Sequence, residues 1–498
     1  MKKLTEILFV VFLLAPFGIL AQTFNIKDFG ALANGKTINT QAIQSTIDKC
    51  YTQGGGEVIV PAGVFYTGTI FLKSNVYLHL LPGAVLQGSY NPADYPEHNI
   101  LSHQKFGTIT HDGQFAKFEK ALVIADNAQN VGIIGEGTVK GAGDGEAFQV
   151  GMNKDNRPMN IYFIGCSNVK LKDIKVLNAA QITISISKCE KVFVDGLYVN
   201  SLVNWNNDGM DVDSREVVIS NCIIEAEDDA LCFKSEYLNK MCENITVTNC
   251  VVSSSCNGIK LGTGSRTGFR NITVNNCIIK RGQEDKYLHW KMTPEIVFKE
   301  TTPSVNTGIV ILGVDGGVVE NISFSNIVMT DVVSPIFIRV GKRFLNPEGK
   351  PSVMKNISIQ NVIAQSRSII PSIVAGLEES PAKDIRLSNI RISIPIVVTA
   401  DFLKSFPATI TEDIKGYPEN RMTFGKLLPA SSFYVRHVEG ITMNDITITY
   451  GNDEARPAFY YDDVRNIQLR NVIVNDHKID TNTTLVESKN SDMIGFGK

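Results

Sequence analysis

Three aspartates carry most of the chemical content of this sequence. Asp208 stands within NNDGMDVD, and the pair Asp228-Asp229 heads DDALCFKS; each precedes a short strand of alternating apolar residues. Aligning the comparable strands gives NND before GMDVD, EDD before ALCFKS, SCN before GIKLGT, NT before GIVILG and VS before PIFIRV. Asp208, Asp229, Asn257, Thr307 and Ser334 therefore hold equivalent places. If such strands stack in parallel, about 4.8 Å apart, these places form a row and the three carboxylates fall within one strand spacing of each other. Like charges so close cannot all ionise, and at least one pKa must rise. Acid–base hydrolysis needs that condition: one carboxyl keeps a proton for a leaving oxygen while another, ionised, activates water. An acidic loop edge, or a calcium site built from oxygen ligands, would use the same residue types.

The elements that must position this row are repeats of one unit. NVKLKDIKV from Asn168, EVVISNCII from Glu216, NITVTNCVV from Asn244 and NITVNNCII from Asn271 are variants of it. NISFSNIVM, NISIQNVIA, DIRLSNIRI, GITMNDITI and NIQLRNVIV continue it from Asn321, Asn356, Asp384, Gly440 and Asn466. A spacing of roughly 25 residues is a solenoid period. Within a unit the apolar alternation, Ile245 and Val247, slips by one residue at Asn249 before Cys250 and Val252 resume it. A straight strand would turn its faces over at such a slip, so the chain must bend there. Asn221, Asn249, Asn276, Asn326, Asn361, Asn389 and Asn471 all hold the corner, where asparagine tolerates a left-handed backbone; stacked coils would make them a ladder.

Strands that bend and return at a near-constant period, with no helix-period segments between them, predict an all-β fold: a right-handed parallel β-helix, a solenoid. The one clear helical pattern comes early, from Thr40 to Cys50, with Asn39 or Thr40 as N-cap, Ile43, Ile47 and Cys50 on one face, and Gly54-Gly55-Gly56 as its stop. It is expected to cap the N-terminal end of the coil. The segment from Ser393 to Arg436 breaks the period and is expected to project as a loop able to wall a groove. Residues 22–478 are read as one β-helix domain and 479–498 as a C-terminal tail.

Composition narrows the function classes. With 48 basic and 51 acidic residues and a formal charge of −3, the chain has no cationic surplus for nucleic acid. Residues 1–21 have the charged start, apolar middle and small-residue end of a secretory signal peptide, which implies export to a periplasmic or extracellular site and no membrane attachment after cleavage. Nine cysteines are present, an odd number, and Cys222, Cys250 and Cys277 recur at one repeat position, so they read as buried apolar residues rather than as disulfides. No metal-ligand spacing is found, and neither a metal nor another cofactor is expected. His437 is read as structural.

The carboxylate motifs resemble glycoside hydrolase family 28, the polygalacturonase and rhamnogalacturonase family. DDALCFKS matches the family's DD motif, and Asn207-Asp208-Gly209 stands one residue shifted against its NTD motif. FNIKDFGALANGKTINTQAIQSTID, VPAGVFYTGTIFLKSNVYLHLLPGAVLQGS and Arg157-Pro158 extend the resemblance over nearly all of the mature chain. It implies an inverting reaction in which Asp228 is the general acid while Asp208 and Asp229 position and deprotonate water. Two departures stand out. Asn257 replaces the histidine of the GHG motif, and Val310 and Leu312 stand where the RIK motif has its cations, the pair that grips a uronate carboxylate. Valine cannot imitate a guanidinium.

Lys260 is therefore the leading replacement cation, ahead of Lys234, Arg266, Arg339, Lys342 and Arg343. Asn207, Asp211, Lys234, Asn257 and Lys260 are the expected substrate contacts, with Asp213 a further candidate beside Asp211. The expectation is an inverting, monomeric hydrolase of a pectic poly- or oligosaccharide, exo-acting or of unusual linkage specificity. A polysaccharide lyase and a non-catalytic glycan-binding β-helix are the rival readings.

Overall fold

The computed structural model describes residues 22–97, 99–102, 105, 120–149, 157–237, 239–282, 305–479 and 484–497; the signal-peptide reading lies outside these residues. The chain is a right-handed parallel β-helix. Among the described strand ladders all are parallel except the short one pairing Ile473 and Val474 with Lys478 and His477. Core positions of successive coils pair one above the other, as in Val217↔Ile245, Ile245↔Ile272, Ile272↔Ile322 and Ile322↔Ile357.

The phase slip in the repeat does what the alternation requires. Ile245, Val247, Cys250 and Val252 all point inward and are buried, and Asn249 turns the chain between them with φ 56°. The corner residues stack as a ladder: Asn249 Nδ2 donates to Asn221 Oδ1 at 3.3 Å, Asn326 to Asn276 at 3.1 Å, Asn361 to Asn326 at 2.9 Å and Asn389 to Asn361 at 2.8 Å. A second ladder runs through the asparagines that open each unit, from Asn271 to Asn244, Asn321 to Asn271 and Asn356 to Asn321. Both ladders keep their donors and acceptors paired at positive-φ corners where the backbone ladder is interrupted.

The early helix spans Thr40–Thr52 and buries Ile43, Ile47 and Cys50, together with Thr46, against the first coils. Asn39 is its N-cap residue, but the side chain does not cap the helix; it bonds Leu32, Thr37 and Tyr66, tying the entry loop to the coil. All nine cysteines are buried free thiols. At the other end, strands Val486–Lys489 and Met493–Gly497 pair in parallel with Phe459–Val474. Part of the segment read as a tail therefore continues the coil.

The aperiodic segment does not stand off the solenoid. It carries the short helices Ala400–Leu403 and Asn420–Phe424, and it folds back over the outer face of the strands that continue the aspartate row. Phe424, Leu428 and Ala430 pack there on Val310, Leu312, Phe337 and Ile373.

Candidate active site

The expected row exists. Gly209 N donates to Asp229 O at 2.9 Å and Ala230 N to Asn257 O at 2.9 Å, while Asn257 pairs with Thr307 and Thr307 with Ser334. Three residues further along each strand, the outward-facing residues stack as Asp211, Cys232, Lys260, Val310, Phe337, Ile373 and Tyr434.

Asp208, Asp228 and Asp229 come together as predicted, at 7%, 8% and 2% exposure, so water meets them only through a narrow opening. Their environments push them apart. Burial, then the charges of Asp211 and Asp228, raise Asp208 well above the usual carboxylate range, with Lys234 only partly opposing. Asp229 is also buried, but Lys260 at 3.0 Å, the more distant Lys234 and a 2.7 Å hydrogen bond from Asn257 Nδ2 outweigh the desolvation and hold it below its ordinary value. The two carboxyls on neighbouring coils are thus pushed in opposite directions, Asp208 towards its protonated form and Asp229 towards its ionised one. Asp228 is held by Asn206 Nδ2, which donates to its Oδ2 at 3.3 Å, and by the Asp229 amide, which donates to its Oδ1 at 2.9 Å.

The expected substrate contacts divide. Asp211 and Lys234 face each other at 3.7 Å beside the carboxylates, with the Asp211 carboxyl pushed up to about 6 by burial against the pull of Lys234. Asp213 turns away from this centre: it is tied at 2.6 Å to Lys188 and accepts the Glu236 amide. Asn207 is not free to touch a sugar. It is fully buried, and its amide is used up within the loop, accepting from the Val203 and Asn204 amides and donating to Ala179 O and Gln181 O. Asn257 and Lys260, at 0% and 1% exposure, are likewise enclosed.

The reason is a residue that sequence reasoning missed. Glu419, from the aperiodic segment, reaches across the row to Lys260 at 2.9 Å, to Asn257 at 3.3 Å and to Asn306 at 3.2 Å. Lys260 sits between Asp229 and Glu419, and both carboxylates hold its ammonium above the usual range despite burial. Of the other candidate cations, Arg339 pairs with Glu412 at 2.5 Å, Lys342 with Glu379 at 2.5 Å and Arg343 with Asp315 at 2.8 Å, while Arg266 lies over the Phe344 ring. His437 is held by Asp463 at 2.8 Å in a positive-φ corner, far along the coil. Arg157 and Asn206 were also missed as site residues: Arg157 Nη2 donates to Asn206 Oδ1 at 3.2 Å, aiming the amide that meets Asp228.

Asp228, Asp229 and Cys256 are the described residues that could hold a metal, with ligand atoms within 4.8 Å of one another. Burial, followed by the charges of Asp228, Asp229 and Glu419, pushes the Cys256 thiol well up, and a protonated thiol is a poor ligand.

The sequence profile of glycosyl hydrolases family 28 matches residues 99–285, a stretch that contains all three aspartates and the altered third motif. Over that stretch the chain is similar to the glycosyl hydrolases of family 28. Along its length the chain is similar to an exo-poly-α-D-galacturonosidase of Dickeya chrysanthemi, with 25% identity over 486 residues that cover 86% of this chain and 75% of the relative. Its fold is that of the Thermotoga maritima exopolygalacturonase, with TM-score 0.59 at 23% identity over 76% of this chain and 89% of the other. The Erwinia carotovora polygalacturonase gives TM-score 0.57 at 17% identity, over 84% and 96%.

Proposed function

We propose that this chain is a family 28 enzyme, an inverting, exo-acting hydrolase of pectic poly- or oligosaccharides, working as an exported monomer. The observation that carries the catalytic part is the contrast between stacked aspartates: Asp229 is held by Lys260 and Asn257, whereas Asp208 is buried beside other carboxylates. Asp229, held ionised by Lys260 and Asn257, takes a proton from water as that water attacks the anomeric carbon. Asp208, which keeps its own proton, hydrogen-bonds that water and orients it. Asp228, the acid by family resemblance, passes its proton to the glycosidic oxygen as the carbon–oxygen bond breaks on the opposite face of the ring. Trp205, 38% exposed next to the Asn206–Asp228 contact, offers an aromatic face for a sugar. A lyase would need a neutral lysine or arginine as base. Lys234 and Lys260 are both held protonated by neighbouring carboxylates, which argues against that reading.

Export rests on the N-terminal sequence. Among the described residues, no helix is long and apolar enough to cross a membrane. Exo-action rests on the Dickeya relative and on the aperiodic segment, which covers the row on one side of the aspartates. The test is product analysis on a panel of pectic substrates, with and without chelator. New reducing ends of inverted anomeric configuration, formed one unit at a time and insensitive to chelator, are expected; unsaturated, chelator-sensitive products would overturn the reading. Asp228→Asn should cut turnover about 10³-fold while leaving the circular dichroism spectrum unchanged.

A further inference from the structure

The donors around Glu419 form a carboxylate cradle. Lys260 Nζ and Asn257 Nδ2 meet its Oε1 at 2.9 and 3.3 Å, and Asn257 Nδ2 and Asn306 Nδ2 meet its Oε2 at 3.3 and 3.2 Å. All three donors belong to the solenoid, whereas the carboxylate arrives from 113 to 162 positions away, in the segment that breaks the repeat. A lysine and two amides converging on both oxygens of one carboxylate is what recognition of an acidic sugar would look like, and here the acid is supplied by the chain itself.

The arrangement is fixed. Glu419, Lys260, Asn257 and Asn306 are all buried to 1% exposure or less. The next residue, Asn420, is fully buried and donates to Thr307 Oγ1 at 3.0 Å, so two successive side chains of the segment are pinned in the row. Withdrawing Glu419 would leave Lys260 a single counter-charge in a site closed to water, a costly exchange for a sugar carboxylate that could only restore what was lost. The cradle also adjoins the reaction centre, because Lys260 and Asn257 are the groups that hold Asp229.

We propose that Glu419 is a specificity-determining residue: it permanently fills the carboxylate cradle beside Asp229, so the sugar bound on that side of the scissile bond must be one without a carboxylate. The substrate class is then a pectic glycoside in which a uronic acid is joined to a neutral sugar, rather than a homopolymer of uronic acid. This rests on the hydrolase reading above.

The experiment has a catalytic arm and a binding arm. Wild type, Glu419→Gln and Glu419→Ala are assayed on matched oligosaccharides whose cleaved bond joins a uronate either to a neutral sugar or to a second uronate. Wild type is expected to prefer the neutral-neighbour substrate at least tenfold in kcat/KM. Both variants should narrow that ratio at least tenfold, mainly through KM on the uronate pair. A wild type that prefers the uronate pair, or variants with an unchanged ratio, overturns the proposal.

In the binding arm, free galacturonate is titrated calorimetrically into each protein. It should bind Glu419→Ala at least tenfold more tightly than wild type, and acetate, but not chloride at equal ionic strength, should compete with that added binding. Galacturonate binding to both proteins equally, or to neither, overturns the proposal. A wild type inactive on every substrate would overturn the hydrolase reading, and the titration would still decide the role of Glu419. Thermal melts identify a variant that has failed to fold, and Glu419→Ser, which also empties the cradle, then stands in for Ala.

Discussion

The outward face of the row has two halves built on the same backbone and in the same register, and they do opposite things. In the coils that carry Asp211, Lys234 and Lys260, the face is charged, crowded and opens narrowly to water. Beyond them, the stack passes through Val310, Leu312, Phe337 and Ile373, and the face becomes a floor sealed by Phe424, Leu428 and Ala430. The parallel ladder continues through both halves, with one register shift, between Phe233 and Ser235 against Leu261 and Ser265, just past the stacked position. The solenoid therefore supplies positions, and the side chains alone decide whether a position meets substrate or a neighbouring segment. The missing cations of the fourth motif take on a physical meaning in this light. At Val310 and Leu312 the aperiodic segment needs an apolar landing surface, and a guanidinium there would have to be buried beneath it. Glu419 lies at the seam between the halves, and Glu412 adds a second tie to Arg339 and Arg436 at 2.5 and 3.4 Å.

The contrast can be broken first at the seam. Lys260→Met leaves Asp229 and Glu419 facing each other in a buried site, and removing one partner of a buried pair costs about 3–5 kcal/mol. Thermal unfolding should register most of that loss. In whatever activity remains, the acidic limb of the pH profile should move upward, because Asp229 has lost the cation that keeps it ionised. A smaller effect is expected on the apolar half. Leu312→Asp should loosen the segment from its floor at a cost of about 3 kcal/mol, read as new protease cleavage between 393 and 436 while the β-rich circular dichroism spectrum persists.

The ladder common to both halves should be more forgiving. Asn361→Ala loses the hydrogen bond to Asn326 and puts alanine at φ 54°, together about 2 kcal/mol in chemical denaturation. The mildest change concerns pH. Burial, opposed by Lys234 and reinforced by the neighbouring acids Asp213, Asp211 and Asp315, raises the Glu236 carboxyl from its ordinary 4.5 to about 8. Its folded form binds the proton more tightly than its unfolded form. The stability it contributes is complete below about pH 4.5 and is lost as the pH rises towards 8. Glu236→Gln should flatten the fall in melting temperature across that interval.

Much of this was legible in the sequence because its causes are local. The slip at Asn249 and its equivalents encodes a bend wherever it occurs, and repetition makes the signal hard to miss. Asp208, Asp228 and Asp229 could be placed in one row because register follows from the repeat. Lys260 stands out in the sequence as a cation near the carboxylate motifs, but nothing near it reveals that Glu419, 159 positions later, will cover it. Asn207 was misjudged for the opposite reason. Its partners are loop backbone groups, and no residue type announces a backbone partner. The neighbouring Asn206, which does meet Asp228, looks identical in the string.

The nine buried thiols carry a consequence for how this protein responds to an oxidising environment. Folded, they are shielded in the coil interior and no oxidant reaches them. Unfolded in air, they become nine reactive groups on a chain with no native disulfide to guide their pairing, so any cross-link is a wrong one. The coil is then a one-way object: its lifetime is set by how rarely it opens rather than by the balance between open and closed, and a reductant in the refolding buffer decides whether the route back exists.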